Sequence, residues 1–207
     1  MNAVEKTVSD EELGLTERVR GAVMWRSGSQ LVAQLVMWAS TFLVIRMLDP
    51  RDYGLFAMTQ VVLTFLNLMN GYGFANALVR SASIDKRQIA QAFGMLILLN
   101  VGLALAQIAL APLAAAYFRQ PLVADLLRVQ SVIYLATPFV ALPGALLSRQ
   151  IDFRRQAQVH LLSAVAGAAT ALSCALSGWG VWTLVAAPIA MFWTQAIGMT
   201  LIARSLM

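Results

Sequence analysis

Long apolar runs without a charged side chain constrain the fold of this chain more than any other feature. The first runs from Ser27 to Ile45 and the second covers residues 55–79. Each meets the roughly 18-residue length that a helix needs to cross the hydrocarbon core of a bilayer. Of the 207 residues, 59% are hydrophobic, well above the roughly 45–50% of soluble domains. The sequence therefore predicts an all-α integral membrane protein.

Four more apolar runs follow the first two. They cover about 88–118, 129–148, 156–177 and 180–203, and Gly178-Trp179-Gly180 forms a hairpin between the last two. We predict a polar cytoplasmic tail at 1–17 and, within 18–207, a short interfacial helix followed by a lobe of six transmembrane helices. Barrel strands would alternate polar and apolar residues over about ten positions, and these runs do not.

The connections between the runs carry most of the charge. Residues 46–54 (RMLDPRDYG), here called the first turn segment, separate the first two spans. Pro50 ends the first helix because it lacks an N–H, and Asp49 and Asp52 can cap the helix that follows. A second polar turn is predicted at 119–128, and basic loops at 80–87 and 149–155.

The basic residues predict the orientation, because cytoplasmic segments are enriched in Lys and Arg. With the N-terminus inside, 11 of the 15 basic residues are cytoplasmic and the remaining four lie in the outer turns, which places both termini in the cytoplasm and the first turn segment outside. The four outer residues are Arg46, Arg51, Arg119 and Arg128.

Uncharged polar side chains recur at helical spacing within the spans. They have two explanations: hydrogen bonds between helices, worth roughly 0.6 kcal/mol each, or a hydrated cavity whose amides donate to and accept from a sugar. The residues alone leave both open. The candidate cavity residues are Gln34, Thr41, Arg46, Gln60, Thr64, Asn67, Asn70, Asn100 and Gln107.

Other patterns predict packing rather than binding. Ser163, Gly167, Ala171 and Ala175 recur every four residues, which makes a smooth face for close helix contact. His160 is expected to be a packing or interfacial residue rather than a proton relay. The single cysteine excludes a disulfide within the chain.

Several function classes find no support in the sequence. The net charge of +5 is spread between apolar runs instead of forming one patch, so we expect no nucleic-acid binding. No paired carboxylates in the membrane, phosphate-binding glycine loop or nucleophile elbow is present. We therefore expect no enzyme, no cofactor and no metal site.

Four segments in order resemble turns of the Wzx-like polysaccharide flippases, a group of the multidrug/oligosaccharidyl-lipid/polysaccharide exporter superfamily. They are residues 46–54, 117–121 (YFRQP), 147–154 (LSRQIDFR) and 178–185 (GWGVWTLV). The resemblance covers residue 19 to the C-terminus and implies transport of a lipid-linked oligosaccharide across the bacterial inner membrane, without a chemical step. It also implies membrane lipids, glycan polymerase and export proteins as partners.

Members of that group have two six-helix lobes around a central cavity, whereas this sequence provides one. We expect either the N-terminal lobe of a longer chain or two half-size chains that pair, the first being favoured. Two other functions stay open: a scaffold for glycan-assembly proteins that does not itself transport, and a drug exporter of the same superfamily.

Overall fold

The computed structural model describes residues 27–69, 86–149 and 153–204, and these segments are helical apart from short turns. The all-α prediction is therefore confirmed over the described residues. Within these three segments, seven helices follow one another: α1 Ser27–Ile45, α2 Pro50–Met69, α3 Lys86–Phe118, α4 Pro121–Gln130, α5 Val132–Arg149, α6 Phe153–Leu176 and α7 Trp182–Arg204.

Five stretches of the described residues are long and apolar enough to cross a membrane. They are Ser27–Ile45, Ala90–Phe118, Pro121–Ala145, Arg154–Leu176 and Trp182–Ile202. Helix α2 is described only as far as Met69, and the rest of the predicted second span lies outside the described residues. The predicted tail at 1–17, the interfacial helix and Asn70 lie outside them too.

The first turn segment begins α2 in the predicted way. Pro50 is the first residue of α2, where its missing N–H costs no helical hydrogen bond. Asp49 precedes it and its Oδ1 accepts a hydrogen bond from the N–H of Arg51 at 2.8 Å. Asp49 is therefore the N-cap. Asp52 lies in the first turn of α2 instead, and its carboxylate lies beside Gly180.

The predicted polar turn at 119–128 is wrong in its extent. Only residues 119 and 120 form the turn, and α4 begins at Pro121. Val123, Leu126 and Leu127 are fully buried, at a spacing that places them on one helix face. Asp125 and Arg128, which made the segment look like a turn, form an exposed ion pair of 3.0 Å on the other side.

Helices α3 and α6 end in the same hydrogen-bond pattern. At the end of α3, the N–H groups of Arg119 and Gln120 donate to the carbonyls of Ala116 and Ala115. At the end of α6, the N–H groups of Gly178 and Trp179 donate to the carbonyls of Ala175 and Cys174. This Schellman motif needs a left-handed residue; Gly178 has φ 72° and Arg119 has φ 52°. The Gly-Trp-Gly turn is confirmed.

The largest core cluster lies at the end of the bundle where these turns are found. It joins Leu55 at the start of α2, Ala114 near the end of α3, Val123 of α4, and Val181 and Val185 around the start of α7. The first turn segment and the turns at 119–120 and 178–180 therefore share one end of the lobe, as the alternation of the spans predicted.

Small residues let α6 approach its neighbours closely, so the predicted packing face is confirmed. A Cβ on Gly167 would lie 3.1 Å from Cβ of Met191 on α7. On the side of α1, the Ser40 hydroxyl donates to the carbonyl of Ala168 at 3.5 Å. Ala175 is buried against Val44 of α1. Helix α6 is thus held between α1 and α7.

Candidate functional site

The candidate cavity residues of α1 and α2 lie on the outside of the described lobe. The Gln34, Thr41 and Thr64 side chains are exposed and Gln60 is half-buried. The Thr41 hydroxyl donates to the Met37 carbonyl of its own helix at 2.8 Å. Within the described residues, no hydrogen bond joins these α1 side chains to those of α2. Asn67 lies in α2, but its side chain is outside the description.

The two amides of α3 are placed differently, because the lobe encloses both. The Gln107 side chain is 0% exposed and its Nε2 donates to the Leu127 carbonyl of α4 at 2.6 Å. The Asn100 Nδ2 donates to the Leu96 carbonyl at 2.9 Å. Gln107 therefore makes a hydrogen bond between helices, which is the packing explanation offered for such residues.

The first turn segment contributes to the structure of one bundle end. Arg46 is exposed there. The Asp52 Oδ2 lies 3.3 Å from the position that a Cβ on Gly180 would occupy, so a side chain at 180 would meet this carboxylate. The Tyr53 hydroxyl is buried and has no hydrogen-bond partner in the described part of the chain. Burial, with a smaller contribution from Asp52, raises the pKa of Tyr53 above its usual value.

A polar pocket lies at the opposite end of the bundle, between α1, α6 and α7. Helix α1 contributes Ser29 and Gln30, α6 contributes Gln156, Ala157 and His160, and α7 contributes Gln195 and Met199. Its volume is ≈ 60 Å³. That space suits a few water molecules or one small polar group. The pocket is far too small for a whole oligosaccharide.

Two buried polar atoms of the residues that line this pocket have no hydrogen-bond partner among the described residues. They are Oε1 of Gln156, which is an acceptor, and Nδ1 of His160, which accepts or donates according to its tautomer; the two residues lie one helical turn apart on α6. The Gln156 amide nitrogen is turned towards α5, 3.7 Å from where a Cβ on Gly144 would lie. A buried acceptor without a partner costs about 1–3 kcal/mol. The pocket therefore favours an occupant that can both donate and accept hydrogen bonds.

Of these pocket residues, His160 was singled out from the sequence, whereas Gln156 and Gln195 were not. One signal was available: Gln156 and His160 are four residues apart, so they share a helix face. The contribution of Gln195 could not be found in the same way, because it is an isolated amide in an apolar run. Among residues 27–69, 86–149 and 153–204, no three His, Cys, Asp or Glu side chains come together as metal ligands.

Comparison with known proteins identifies the family. Residues 43–205 match the family described as "Polysaccharide biosynthesis protein". The matched range begins just before the first turn segment and runs through α7, so it covers the four segments whose resemblance was noted from the sequence. No solved structure matches the chain.

Three curated relatives illustrate the similarity. The succinoglycan biosynthesis transport protein ExoT of Rhizobium meliloti (strain 1021) is 28% identical over 144 residues, which is 70% of this chain and 29% of the relative. An uncharacterized membrane protein in the cps region of Klebsiella pneumoniae is 20% identical over 143 residues, 69% of this chain and 30% of the relative. The lipopolysaccharide biosynthesis protein WzxC of Escherichia coli (strain K12) is 17% identical over 172 residues, 83% of this chain and 34% of the relative.

The chain spans about a third or less of the length of these relatives. The similarity nevertheless extends through successive spans and turns in one order. The chain is a multi-pass membrane protein that belongs to the polysaccharide biosynthesis protein family, and it is similar to ExoT and WzxC.

Proposed function

We propose that this chain is part of a flippase that moves a lipid-linked polysaccharide precursor from the cytoplasmic to the periplasmic leaflet of a bacterial inner membrane. The observation that carries the proposal is the family match over residues 43–205, with relatives named for succinoglycan transport and lipopolysaccharide biosynthesis. The family is one of transporters, typically without enzymatic activity.

The composition of the lobe supports transport rather than chemistry. The described spans bury uncharged amides and hydroxyls, such as Asn100, Gln107 and Ser163, and no acidic side chain appears among the buried residues of the described segments. Intramembrane amides of this kind hydrogen-bond neutral hydroxyl groups and neighbouring helices. A cation exporter would instead need carboxylates within its spans.

The lobe forms one wall of a larger cavity in this proposal. Gln34, Thr41, Gln60 and Thr64 are on its outside, where a second lobe or a second half-size chain would enclose them with Asn67 and Asn70. An amide that faces lipid has no partner, whereas one that faces water or a glycan has several. Arg46 would lie near the outer mouth, with both chain termini in the cytoplasm.

Transport is tested with the whole reading frame that encodes residues 1–207. The protein is reconstituted in liposomes with a fluorescent polyprenyl-pyrophosphate oligosaccharide, and dithionite quenches the dye in the outer leaflet. We expect protein-dependent loss of the protected half of the fluorescence. Liposomes that lose no more fluorescence than protein-free controls would contradict the proposal.

Water accessibility tests the cavity. In a Cys174→Ser background, which removes the only cysteine, we compare Thr64→Cys with Phe65→Cys. Thr64 and Phe65 are both exposed on the isolated lobe, Phe65 at 59%, so only the presence of water distinguishes them. We expect a charged maleimide to label position 64 and not position 65 in intact cells. The opposite preference would refute the cavity.

A further inference from the structure

The lining of the polar pocket between α1, α6 and α7 defines the chemistry of what it can bind. Its hydrogen-bonding groups are amides, a hydroxyl and an imidazole, and no Asp, Glu, Lys or Arg is among the described residues that line it. Amides and hydroxyls both donate and accept. A lining of this kind suits neutral groups that do the same, and it lacks the fixed charge that an ionic ligand would need.

Two buried polar atoms of the lining residues narrow the class of ligand further. Oε1 of Gln156 and Nδ1 of His160 have no hydrogen-bond partner among the described residues. The amide oxygen accepts a hydrogen bond and the imidazole nitrogen either accepts or donates one, so a ligand that can do both at two neighbouring points would satisfy them. Two hydroxyl groups on adjacent carbon atoms can do both, whereas an aliphatic group would leave both atoms without a partner.

The described helices carry basic residues at this end of the bundle. Arg154 and Arg155 are exposed on the first turn of α6, which also carries Gln156 of the pocket. Helices α5 and α7 end at Arg149 and Arg204. No acidic residue lies at this end of the described helices. An anionic part of a ligand could therefore stay outside, on the side of Arg154 and Arg155, while a neutral part enters.

We propose that this pocket is a binding subsite for neutral vicinal hydroxyl groups at the bundle end opposite the first turn segment. The ≈ 60 Å³ volume admits the edge of one sugar residue, with the remainder outside. Two molecules carry such hydroxyls: a sugar of the lipid-linked glycan, an assignment that rests on the proposed function, and the glycerol headgroup of phosphatidylglycerol.

The chain offers a direct reporter for this pocket. It contains one histidine, so selective ¹³C,¹⁵N labelling of histidine gives one set of imidazole signals, provided that purification uses no histidine tag. The protein is placed in phosphatidylcholine nanodiscs and titrated with methyl α-glucoside. In a separate arm, phosphatidylglycerol replaces part of the phosphatidylcholine and no glycoside is added.

We expect the imidazole signals to shift saturably with one or both probes. Gln156→Met and Gln195→Met keep the side-chain length and remove the amide, and each should weaken binding about tenfold. Gln158→Met removes an exposed amide of α6 that does not line the pocket, so this variant should bind like the unaltered protein.

The outcomes separate the possible occupants. A response to the glycoside assigns the pocket to the glycan, and a response to phosphatidylglycerol alone assigns the same hydroxyl chemistry to the lipid. No saturable response to either probe, the result expected if water alone fills the pocket, overturns the proposal. So does a response that Gln156→Met leaves unchanged. Failure of the flipping assay with a persisting shift would refute the proposed function and leave this subsite standing.

Discussion

Gly198 of α7 is the point where the close packing of α6 and α7 can be tested most sharply. A Cβ at this position would lie 2.8 Å from Cγ1 of Val159 and 3.1 Å from its Cγ2. Val159 is 6% exposed, and a β-branched side chain in a helix is confined to essentially one rotamer. We therefore expect Gly198→Ala to destabilise the protein although alanine is the better helix former.

The magnitude follows from two opposing effects. Forcing one methyl group into a packed contact costs about 1–3 kcal/mol. Alanine recovers up to about 1 kcal/mol over glycine in a helix interior, less if the denatured chain stays helical in detergent. The net loss in the free energy of unfolding is then about 1–2 kcal/mol. Val159→Ala removes the clashing methyl groups, so Gly198→Ala should be neutral or stabilising in that background.

Unfolding by sodium dodecyl sulfate in mixed micelles, followed by circular dichroism, measures all four proteins of this cycle. Gly102→Ala is the matched control, because a Cβ at this exposed glycine of α3 would meet nothing within 4 Å. We expect a coupling of about 1–3 kcal/mol between positions 159 and 198. Equal stabilities of the Gly198→Ala and Gly102→Ala proteins, with no coupling to Val159→Ala, would refute the packing argument.

Three further predictions use the same assay. Asp49→Ala should lower the free energy of unfolding by about 1 kcal/mol because α2 loses its N-cap, whereas Asp49→Asn should keep most of that stability because asparagine also caps helices. Equal losses in the two variants would contradict the capping role. Gly178→Ala should destabilise by about 1 kcal/mol because of its positive φ, and Arg119→Gly should be neutral or slightly stabilising for the same reason; the reverse order would exclude strain as the cause. Gln107→Met should change stability by less than about 1 kcal/mol, because it removes both the bond to Leu127 and an unpartnered Oε1; a larger loss would show that this bond is a principal link between α3 and α4.

Much of the fold could be predicted because the relevant signals are local. Pro50 and Gly178 act through their own backbone geometry, so the start of α2 and the turn after α6 were found from the sequence. The segment at 119–128 was predicted to be a turn because of its charged residues, although the spacing of Val123, Leu126 and Leu127 indicates an amphipathic helix. Amphipathic helices and polar turns share composition and differ in periodicity.

The candidate site was less accessible from the sequence. Polar residues in the spans were found, but their placement depends on which helices meet. Gln107 faces α4 and donates to it, whereas Gln34 and Thr64 lie outside the lobe. Helical periodicity gives the face on which a residue lies and does not identify the neighbour of that face.

The sequence by itself determined that this chain crosses a membrane several times and where its helices turn, because uncharged length and proline or glycine act locally. Only the tertiary structure decided that Gln30, His160 and Gln195 share one pocket, since they come from the first, sixth and seventh helices. The physical reason is that side-chain contacts between segments far apart in the chain leave no periodic trace in either segment.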